Sequence, residues 1–268
     1  MRRASHPDIA GGQGCVRRNR TVAAPHETSR IMKINKKFRR VLNYWIWRAT
    51  HPTTPYEQYY VHRVLSKIKT GQGHPAIGPT ARPLRERSEL LDFLQRHGAQ
   101  PSDLVIDYGC GSLRLAPPLI EFLAPGKYWG MDLAQEFLDL GLTHLDPQMA
   151  QEKRPRLDVI APDVIARAAA EKPRFIASWH VCSKVPENRF EAYLGNIVAM
   201  MSPGATALIH FPETVERRKL TGLAWAIPRS RFPETLARLN PAITCEFGAV
   251  IDGVVDGIRQ SYAILRHS

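Results

Sequence analysis

One acid and two glycines form the part of the sequence best suited to chemistry. The apolar run that starts at Leu104 ends in Asp107 and is followed by Gly109 and Gly111. Gly109 can adopt the positive φ of a tight turn, and Gly111 lacks the Cβ that would keep a ligand away from the backbone. Asp107 can oppose an ammonium group, while the free N–H groups of a helix starting beside the glycines can receive a carboxylate. The pattern therefore predicts a site for an amino-acid moiety.

A second acid, Asp132, extends this site. It lies at the tip of the next predicted strand, Lys127–Met131, where a carboxylate can accept hydrogen bonds from both hydroxyls of a ribose. Taken alone, the two glycines are often no more than a structural turn. Together with Asp107 and Asp132 they favour a ligand that joins an amino acid to a nucleoside.

An alternation of predicted strands and helices positions these residues. Such alternation is typical of a parallel sheet covered on both faces. The predicted strands are Leu104–Asp107, Lys127–Met131, Arg156–Ile160, Arg174–Trp179 and Ala205–Phe211, and the predicted helices are Ser88–His97, Ala134–His144 and Glu187–Met201. Two further runs, Thr244–Val250 and Gln260–Arg266, suit an antiparallel pair at one edge of the sheet.

The net charge of +12 is concentrated near the start of the chain. Residues 1–48 hold twelve Lys and Arg against Asp8 and Glu27, so the remainder is nearly neutral. Residues 1–31 have the composition of a disordered basic tail. We expect residues 32–83 to form a helical arm or lid, and residues 84–268 to form the main domain.

Two amphipathic helices are predicted in the arm. From Met32 to Arg48, apolar residues recur at helical spacing with basic residues on the other side. This helix can rest on an anionic lipid surface or pack against the main domain, and the sequence leaves both interpretations open. The second helix is capped by Thr54-Pro55-Tyr56-Glu57 and closed by Gly71. It can form a lid over an active site or simply pack against the domain.

The run Val105–Arg114, followed by Tyr128–Asp132, resembles the class I S-adenosylmethionine-dependent methyltransferases. The run resembles especially those bacterial members whose glycine loop reads Gly-Cys-Gly-Ser-Leu-Arg. The resemblance covers residues 84–268 and implies S-adenosylmethionine as the cofactor. It also implies a Rossmann-like three-layer α/β sandwich, with a seven-stranded, mostly parallel sheet whose last strand is antiparallel, here preceded by the N-terminal helices.

The resemblance also implies a set of cofactor-binding residues. Asp163 matches the acid after the third strand that faces the adenine, although Asp158 competes for that position. The full predicted set is Asp107, Tyr108, Gly109, Cys110, Gly111, Asp132, Leu133, Asp163 and Trp179.

Two features depart from the family pattern. The third glycine common in the family is Leu113, and Pro117-Pro118 fall where the following helix should run. The prolines indicate that this helix starts late or kinks. Cofactor affinity is the property that both departures affect.

His180, just beyond the fourth predicted strand, is the candidate general base, with His210 as a weaker competitor. A structural role in the loop is the alternative for His180. Trp179 can stack near the adenosine or the cationic sulfur.

We therefore expect methylation of an oxygen or nitrogen atom on a small-molecule or glycan-type acceptor. An NAD(P)-dependent oxidoreductase is one alternative, but its fingerprint needs Gly or Ala where Arg114 stands. The other alternative is a non-catalytic cofactor-binding domain whose basic arm binds a membrane or a partner. The loop after the fourth strand lacks the motifs of base-modifying enzymes, since Cys182 follows Val181 rather than a proline. No specific nucleic-acid partner is predicted.

Several other classes of protein and site are not expected. The cysteines are scattered and the histidines show no ligand spacing, so we predict neither a metal site nor disulfides. No apolar run approaches the roughly 18 to 20 residues that span a bilayer, and no secretory signal is recognisable. We expect a cytoplasmic protein, with peripheral membrane contact through residues 32–48 left open.

Overall fold

The apolar runs of the sequence form a single sheet in the computed structural model, which describes residues 36–69, 84–221, 224–255 and 258–268. Residues 1–35, including the predicted tail, and Gly71 lie outside the described residues. Within these ranges the strands are β1 Val105–Tyr108, β2 Tyr128–Asp132, β3 Arg156–Val159, β4 Phe175–Ser178, β5 Thr206–Thr214, β6 Arg218–Thr221, β7 Ala224–Pro228, β8 Ile243–Val255 and β9 Ile258–His267. All residues of β1, β2 and β4 are buried, as expected for central strands covered on both faces.

The strand order confirms the predicted fold class. Strands β3, β2, β1, β4 and β5 are adjacent in that order and parallel. The last strand, β9, runs antiparallel to both β5 and β8, so it is inserted between them. This is the Rossmann-like arrangement, mostly parallel with an antiparallel last strand.

Strands β6 and β7 were not predicted. They pair with each other in antiparallel fashion, and β7 pairs in parallel with the last two residues of β5, where Glu213 is in register with Ile227. The sequence Arg-Lys-Leu-Thr of β6 has too short a pattern to be distinguished from a loop. Its pairing with β7 defines it as a strand.

Helices cover the sheet and precede it. In the described part of the chain they are α1 Lys36–Thr50, α2 Tyr56–Lys69, α3 Leu84–Arg96, α4 Ala116–Phe122, α5 Gln135–His144, α6 Pro147–Lys153, α7 Pro162–Ala170, α8 Phe190–Met200 and α9 Arg231–Leu239. The late start after the glycine loop is confirmed, because α4 opens at Ala116 with the prolines in its first turn. The expectation that this helix begins beside the glycines, with N–H groups ready for a carboxylate, is therefore wrong.

The apolar core lies in two layers, one on each face of the sheet. Ile106 and Ile176 pack with α7 and α8, whereas Val105 and Phe175 pack with α3 and α4. Neighbouring residues of a strand point to opposite faces, so each strand contributes to both layers. The result is the predicted three-layer sandwich.

The N-terminal helices α1 and α2 contact each other and the sheet domain. The α2 residues Tyr60 and Val64 are buried in a cluster with Phe137 of α5. Tyr44 of α1 packs edge-to-face against Tyr59 of α2, with ring centroids 5.0 Å apart. None of the described helices has the length and apolar character needed to cross a membrane.

Candidate functional site

The glycine loop is tied to the end of β2 by its own backbone. The amides of Gly109 and Cys110 both donate to the carbonyl oxygen of Met131, at 2.7 and 3.1 Å. Gly109 has a φ of +86°, and a Cβ at this position would lie 2.3 Å from a methyl carbon of Val181. Glycine is therefore required here both by the turn and by the close approach of the loop after β4.

Asp132 clamps the other half of the loop. Its Oδ2 accepts the amide of Gly111 and its Oδ1 accepts the amide of Leu133, both at 2.7 Å. Burial raises the pKa of Asp132 to about 6, and these two hydrogen bonds oppose the rise. The carboxylate is thus held in one orientation at the carboxyl end of β2.

Asp107 is a buried acid held by a phenol. Tyr128 donates its hydroxyl to Oδ2 of Asp107 at 2.8 Å. Burial raises the pKa of Asp107 to about 7; the hydrogen bond from Tyr128 lowers it, and the charge of Asp132 raises it further. Among the described residues, no Lys or Arg forms an ion pair with Asp107. Its environment is suited to a cation supplied by a ligand.

A cavity of about 310 Å³ opens beside both acids. Its walls come from the glycine loop, from the loop after β4, from α8 and from α2. The predicted site residues that line it are Asp107, Tyr108, Gly109, Cys110, Asp132, Leu133, Trp179 and His180. The structure therefore brings eight of the ten predicted residues to one cavity.

Two predicted residues lie apart from this lining. Gly111 contributes its amide to Asp132 rather than a surface to the cavity. Asp163 is exposed in the first turn of α7 and does not line the cavity. Its competitor Asp158 accepts hydrogen bonds from the Trp129 indole and from Arg167, so it has a structural role.

The sequence pattern left open a lid role for α2 but named none of the residues of α2 and α8 that line the cavity. Tyr56, Glu57 and Tyr60 of α2 line the cavity, as do Tyr193 and Asn196 of α8. The Asn196 side-chain amide donates to the hydroxyl of Tyr108 at 2.9 Å, which fixes that ring at the end of β1. A polar Asn within the otherwise apolar run 194–200 was the signal that could have found this face of α8.

The candidate base His180 contacts two aromatic rings, those of Trp179 and His210. His180 adopts a φ of +61°, and its ring centroid lies 4.5 Å from that of His210. Trp179 is buried, packs 5.0 Å from His210 and 4.9 Å from Phe93, and its Nε1 has no hydrogen-bond partner among the described residues. Burial and the charge of Lys184 lower the pKa of His210 to about 4, so that imidazole is neutral at pH 7.

The comparison with known families decides the family of the chain. A family model described as a methyltransferase domain matches residues 82–239, which is more than half of the chain. The chain belongs to the class I S-adenosylmethionine-dependent methyltransferases. Its cofactor is S-adenosylmethionine and it is an enzyme of methyl transfer, so the family disfavours both the oxidoreductase and the non-catalytic alternatives.

Solved methyltransferase structures share its fold. Magnesium protoporphyrin IX methyltransferase from Synechocystis, with bound S-adenosylmethionine, matches with a TM-score of 0.52 and 14% identity over 69% of this chain and 79% of its own. A glycopeptide N-methyltransferase matches at 0.51 and 11%, covering 68% and 90% of the two chains. A methyltransferase from Anabaena variabilis matches at 0.51 and 15%, covering 68% and 85%. At such identities the likeness concerns the fold alone, and no curated protein sequence matches the chain.

The methyltransferase departs from its family at Leu113 in a visible way. Leu113 is buried and adopts a φ of +58°, a conformation that disfavours side chains with a Cβ. A Cβ on Gly141 of α5 would lie 2.7 Å from Cγ of Leu113. The helix therefore leaves space for the leucine that replaces the third glycine.

Proposed function

We propose that this methyltransferase acts on an oxygen or nitrogen atom of a small-molecule or glycan-type acceptor, with His180 as the general base. The observation that carries the proposal is that one cavity contains both the acids suited to the cofactor and a histidine suited to proton removal. The fold likeness to a glycopeptide N-methyltransferase is compatible with such an acceptor but does not identify it.

The residues that would hold the cofactor follow from its charges. Asp107 is buried without a cationic partner among the described residues, and an ammonium group would compensate its charge. The free lone pairs of Asp132 are suited to ribose hydroxyls, because its orientation is already fixed by two amides. Tyr108, Cys110 and Leu133 complete this part of the wall. Asp163 is left out because it is exposed.

Methyl transfer requires alignment and, for a hydroxyl acceptor, removal of a proton. When bound, S-adenosylmethionine supplies an electrophilic methyl group, whose bond to sulfur breaks as the acceptor's lone pair bonds to the carbon. His180 lines the cavity and would accept the acceptor's proton through a ring nitrogen. A positioned base of this kind contributes roughly 10² to 10⁴ in rate.

Helix α2 would exclude water from the reaction. Tyr56 and Tyr60 face the cavity, and Tyr60 is almost fully buried. Glu57 anchors this helix by a two-point ion pair, in which Nε and Nη2 of Arg189 donate to its two oxygens at 2.7 and 3.2 Å. A closed site of low dielectric strengthens each interaction within it.

The function is tested by transfer of a labelled methyl group from S-adenosylmethionine to the polar-metabolite and glycan fractions of a cell extract. We expect labelled product with the wild-type chain and a rate roughly 10² to 10⁴ lower with His180→Gln, at unchanged S-adenosylhomocysteine affinity. Product confined to protein or nucleic acid would contradict the proposed acceptor class. A wild-type rate in His180→Gln would exclude His180 as the base.

A second proposal concerns the membrane. We propose that α1 rests on an anionic lipid surface, because Leu42, Trp45 and Ile46 lie on one helical face and are 42%, 62% and 55% exposed. The sequence of α1 holds the basic residues Lys36, Lys37, Arg39, Arg40 and Arg48 and no acid.

Sedimentation with vesicles tests the membrane proposal. We expect the wild-type chain to sediment with vesicles that contain phosphatidylserine, and a Trp45→Ala/Ile46→Ala variant to lose most of that binding. Val215→Ala is the matched control, because Val215 is 93% exposed on another part of the protein. Equal sedimentation of all three proteins would exclude α1 as the contact.

A further inference from the structure

A second pocket adjoins the cofactor cavity. It has a volume of about 340 Å³ and lies between α1, the start of α2, the loop before α8 and β7. Tyr56, Pro186 and Arg189 line both this pocket and the cofactor cavity, so they form a shared wall. A ligand in the second pocket would therefore be a neighbour of a ligand in the cofactor cavity, with these three residues between them.

The walls of this pocket are aromatic. Four rings contribute, and the distances between their centroids show that they form one continuous cluster. The ring of Tyr56 lies 5.6 Å from that of Trp225 and 6.4 Å from that of Tyr44. Trp47 joins them through Tyr59, whose ring lies 5.0 Å from both Trp47 and Tyr44. The rings therefore give this open pocket an apolar wall on which the flat face of a ligand can stack.

The polar groups of the pocket are basic or neutral. Arg48 donates from Nη1 to the carbonyl oxygen of Thr54 at 2.8 Å, which places its guanidinium at the pocket without a carboxylate partner among the described ion pairs. Thr53, Thr54 and Asn188 add hydroxyl and amide groups, and no acid is among the described residues that line the pocket. The hydroxyl of Tyr56 is buried and has no hydrogen-bond partner in the described part of the chain.

This combination narrows the class of ligand. The charge of Arg189 is compensated by Glu57, but a cation would be repelled by Arg48. A flat apolar molecule would leave the hydroxyl of Tyr56 without a hydrogen bond. A sugar ring has C–H faces that stack on aromatic rings and hydroxyls around its edge. An anionic substituent on that sugar would pair with Arg48.

We propose that this pocket binds the acceptor, and that the acceptor is a sugar or glycan carrying a carboxylate or a phosphate. The inference rests on the methyl-transfer function proposed above and adds the charge and the location of its substrate. Tyr56, in the shared wall, would contact the acceptor from the pocket and the reacting centre from the cavity.

Binding of defined sugars to the full chain tests the inference. Glucuronic acid and glucose 6-phosphate are titrated in the presence of S-adenosylhomocysteine, with neutral methyl glucoside as the reference, and saturation-transfer NMR reports binding. We expect saturable binding of at least one anionic sugar, tighter than that of methyl glucoside. Whichever of the two anionic sugars binds more tightly shows whether the pocket prefers a carboxylate or a phosphate.

Variants locate the binding. Arg48→Gln keeps an N–H donor for the carbonyl of Thr54 but removes the charge, and we expect it to weaken anionic-sugar binding about tenfold or more. It should also abolish the loss of affinity that added salt causes in the wild-type chain, an effect that a purely structural role would not produce. Arg96→Gln is the matched control, because Arg96 also donates to a backbone carbonyl, on the distant helix α3.

The outcomes separate this inference from the proposed function. Calorimetry with S-adenosylhomocysteine on the same samples reports the cofactor site. If it binds and neither anionic sugar binds saturably, or if Arg48→Gln binds them like the wild type, the acceptor inference is overturned and the function stands. If S-adenosylhomocysteine itself does not bind, the proposed function fails.

Discussion

Replacement of Asp107 by asparagine tests whether the cofactor compensates a charge that the fold itself leaves buried. Burial raises the pKa of Asp107 from an ordinary value of 3.8 to about 7. At about 1.4 kcal/mol for each pKa unit, ionising this carboxyl at pH 7 or above costs the cofactor-free protein up to about 4 kcal/mol. Asp107→Asn removes that cost and keeps an oxygen that can accept the hydrogen bond from the hydroxyl of Tyr128.

The sign of the pH dependence follows from proton binding. Between pH 4 and about 7 the folded protein holds a proton on Asp107 that the unfolded chain has released. The contribution of this group to stability is therefore full below the ordinary pKa and is lost as the pH rises through the folded pKa. We expect the cofactor-free Asp107→Asn protein to be more stable than the wild type at pH 8, with the difference vanishing near pH 4.

Without cofactor, burial favours the protonated form of Asp107, whereas the ammonium group of a bound cofactor would favour its carboxylate. We expect Asp107→Asn to bind S-adenosylhomocysteine roughly tenfold to a hundredfold more weakly at pH 8, which is the loss of one charge-assisted contact. Urea unfolding at several pH values and calorimetry provide the two measurements, with the exposed Asp163→Asn as the matched control. A variant that is less stable at pH 8 yet binds with wild-type affinity would refute the reasoning.

Two further predictions concern the loop and the lid. Gly109→Ala should lower the free energy of unfolding by more than Gly98→Ala, because both glycines have a φ near +87° but only a Cβ at Gly109 meets a neighbour, Val181 at 2.3 Å. Equal losses of unfolding free energy in urea would show that the contact with Val181 does not contribute to the destabilisation. Glu57→Gln should cost less than about 1 kcal/mol of stability, since the ion pair with Arg189 is partly exposed, but should speed the release of S-adenosylhomocysteine several-fold. An unchanged release rate in stopped-flow measurements would argue against a lid function for α2.

The sequence was informative where the site depends on local geometry. Asp107 and Asp132 each end a strand, and neighbouring parallel strands end at the same edge of a sheet, so their proximity followed from the strand predictions. Asp163 shows the limit of this reasoning. It also follows a strand, but α7 begins at Pro162, and its first turn directs Asp163 to the solvent.

Residues from distant elements were not predictable from pattern. Asn196 and Tyr193 reach the cavity only because α8 packs against the face of the sheet that contains Ile106. Tyr56 and Tyr60 reach it because α2 docks on α5. The amphipathic pattern of α2 predicted a buried stripe, but the partner of that stripe depends on tertiary packing, which a single helix does not encode.

The contact between Leu113 and Gly141 explains how the glycine loop accommodates a leucine where the family commonly has its third glycine. The close approach of the loop to α5 is permitted by a glycine on the helix, since a Cβ on Gly141 would meet both Leu113 and the backbone of Ser112. Burial of the leucine side chain contributes about 1.5 to 3 kcal/mol, which offsets the roughly 1 to 2 kcal/mol that its left-handed backbone costs. The close approach of the glycine loop to α5 thus depends on residues of both elements, and a sequence motif confined to the loop does not include Gly141.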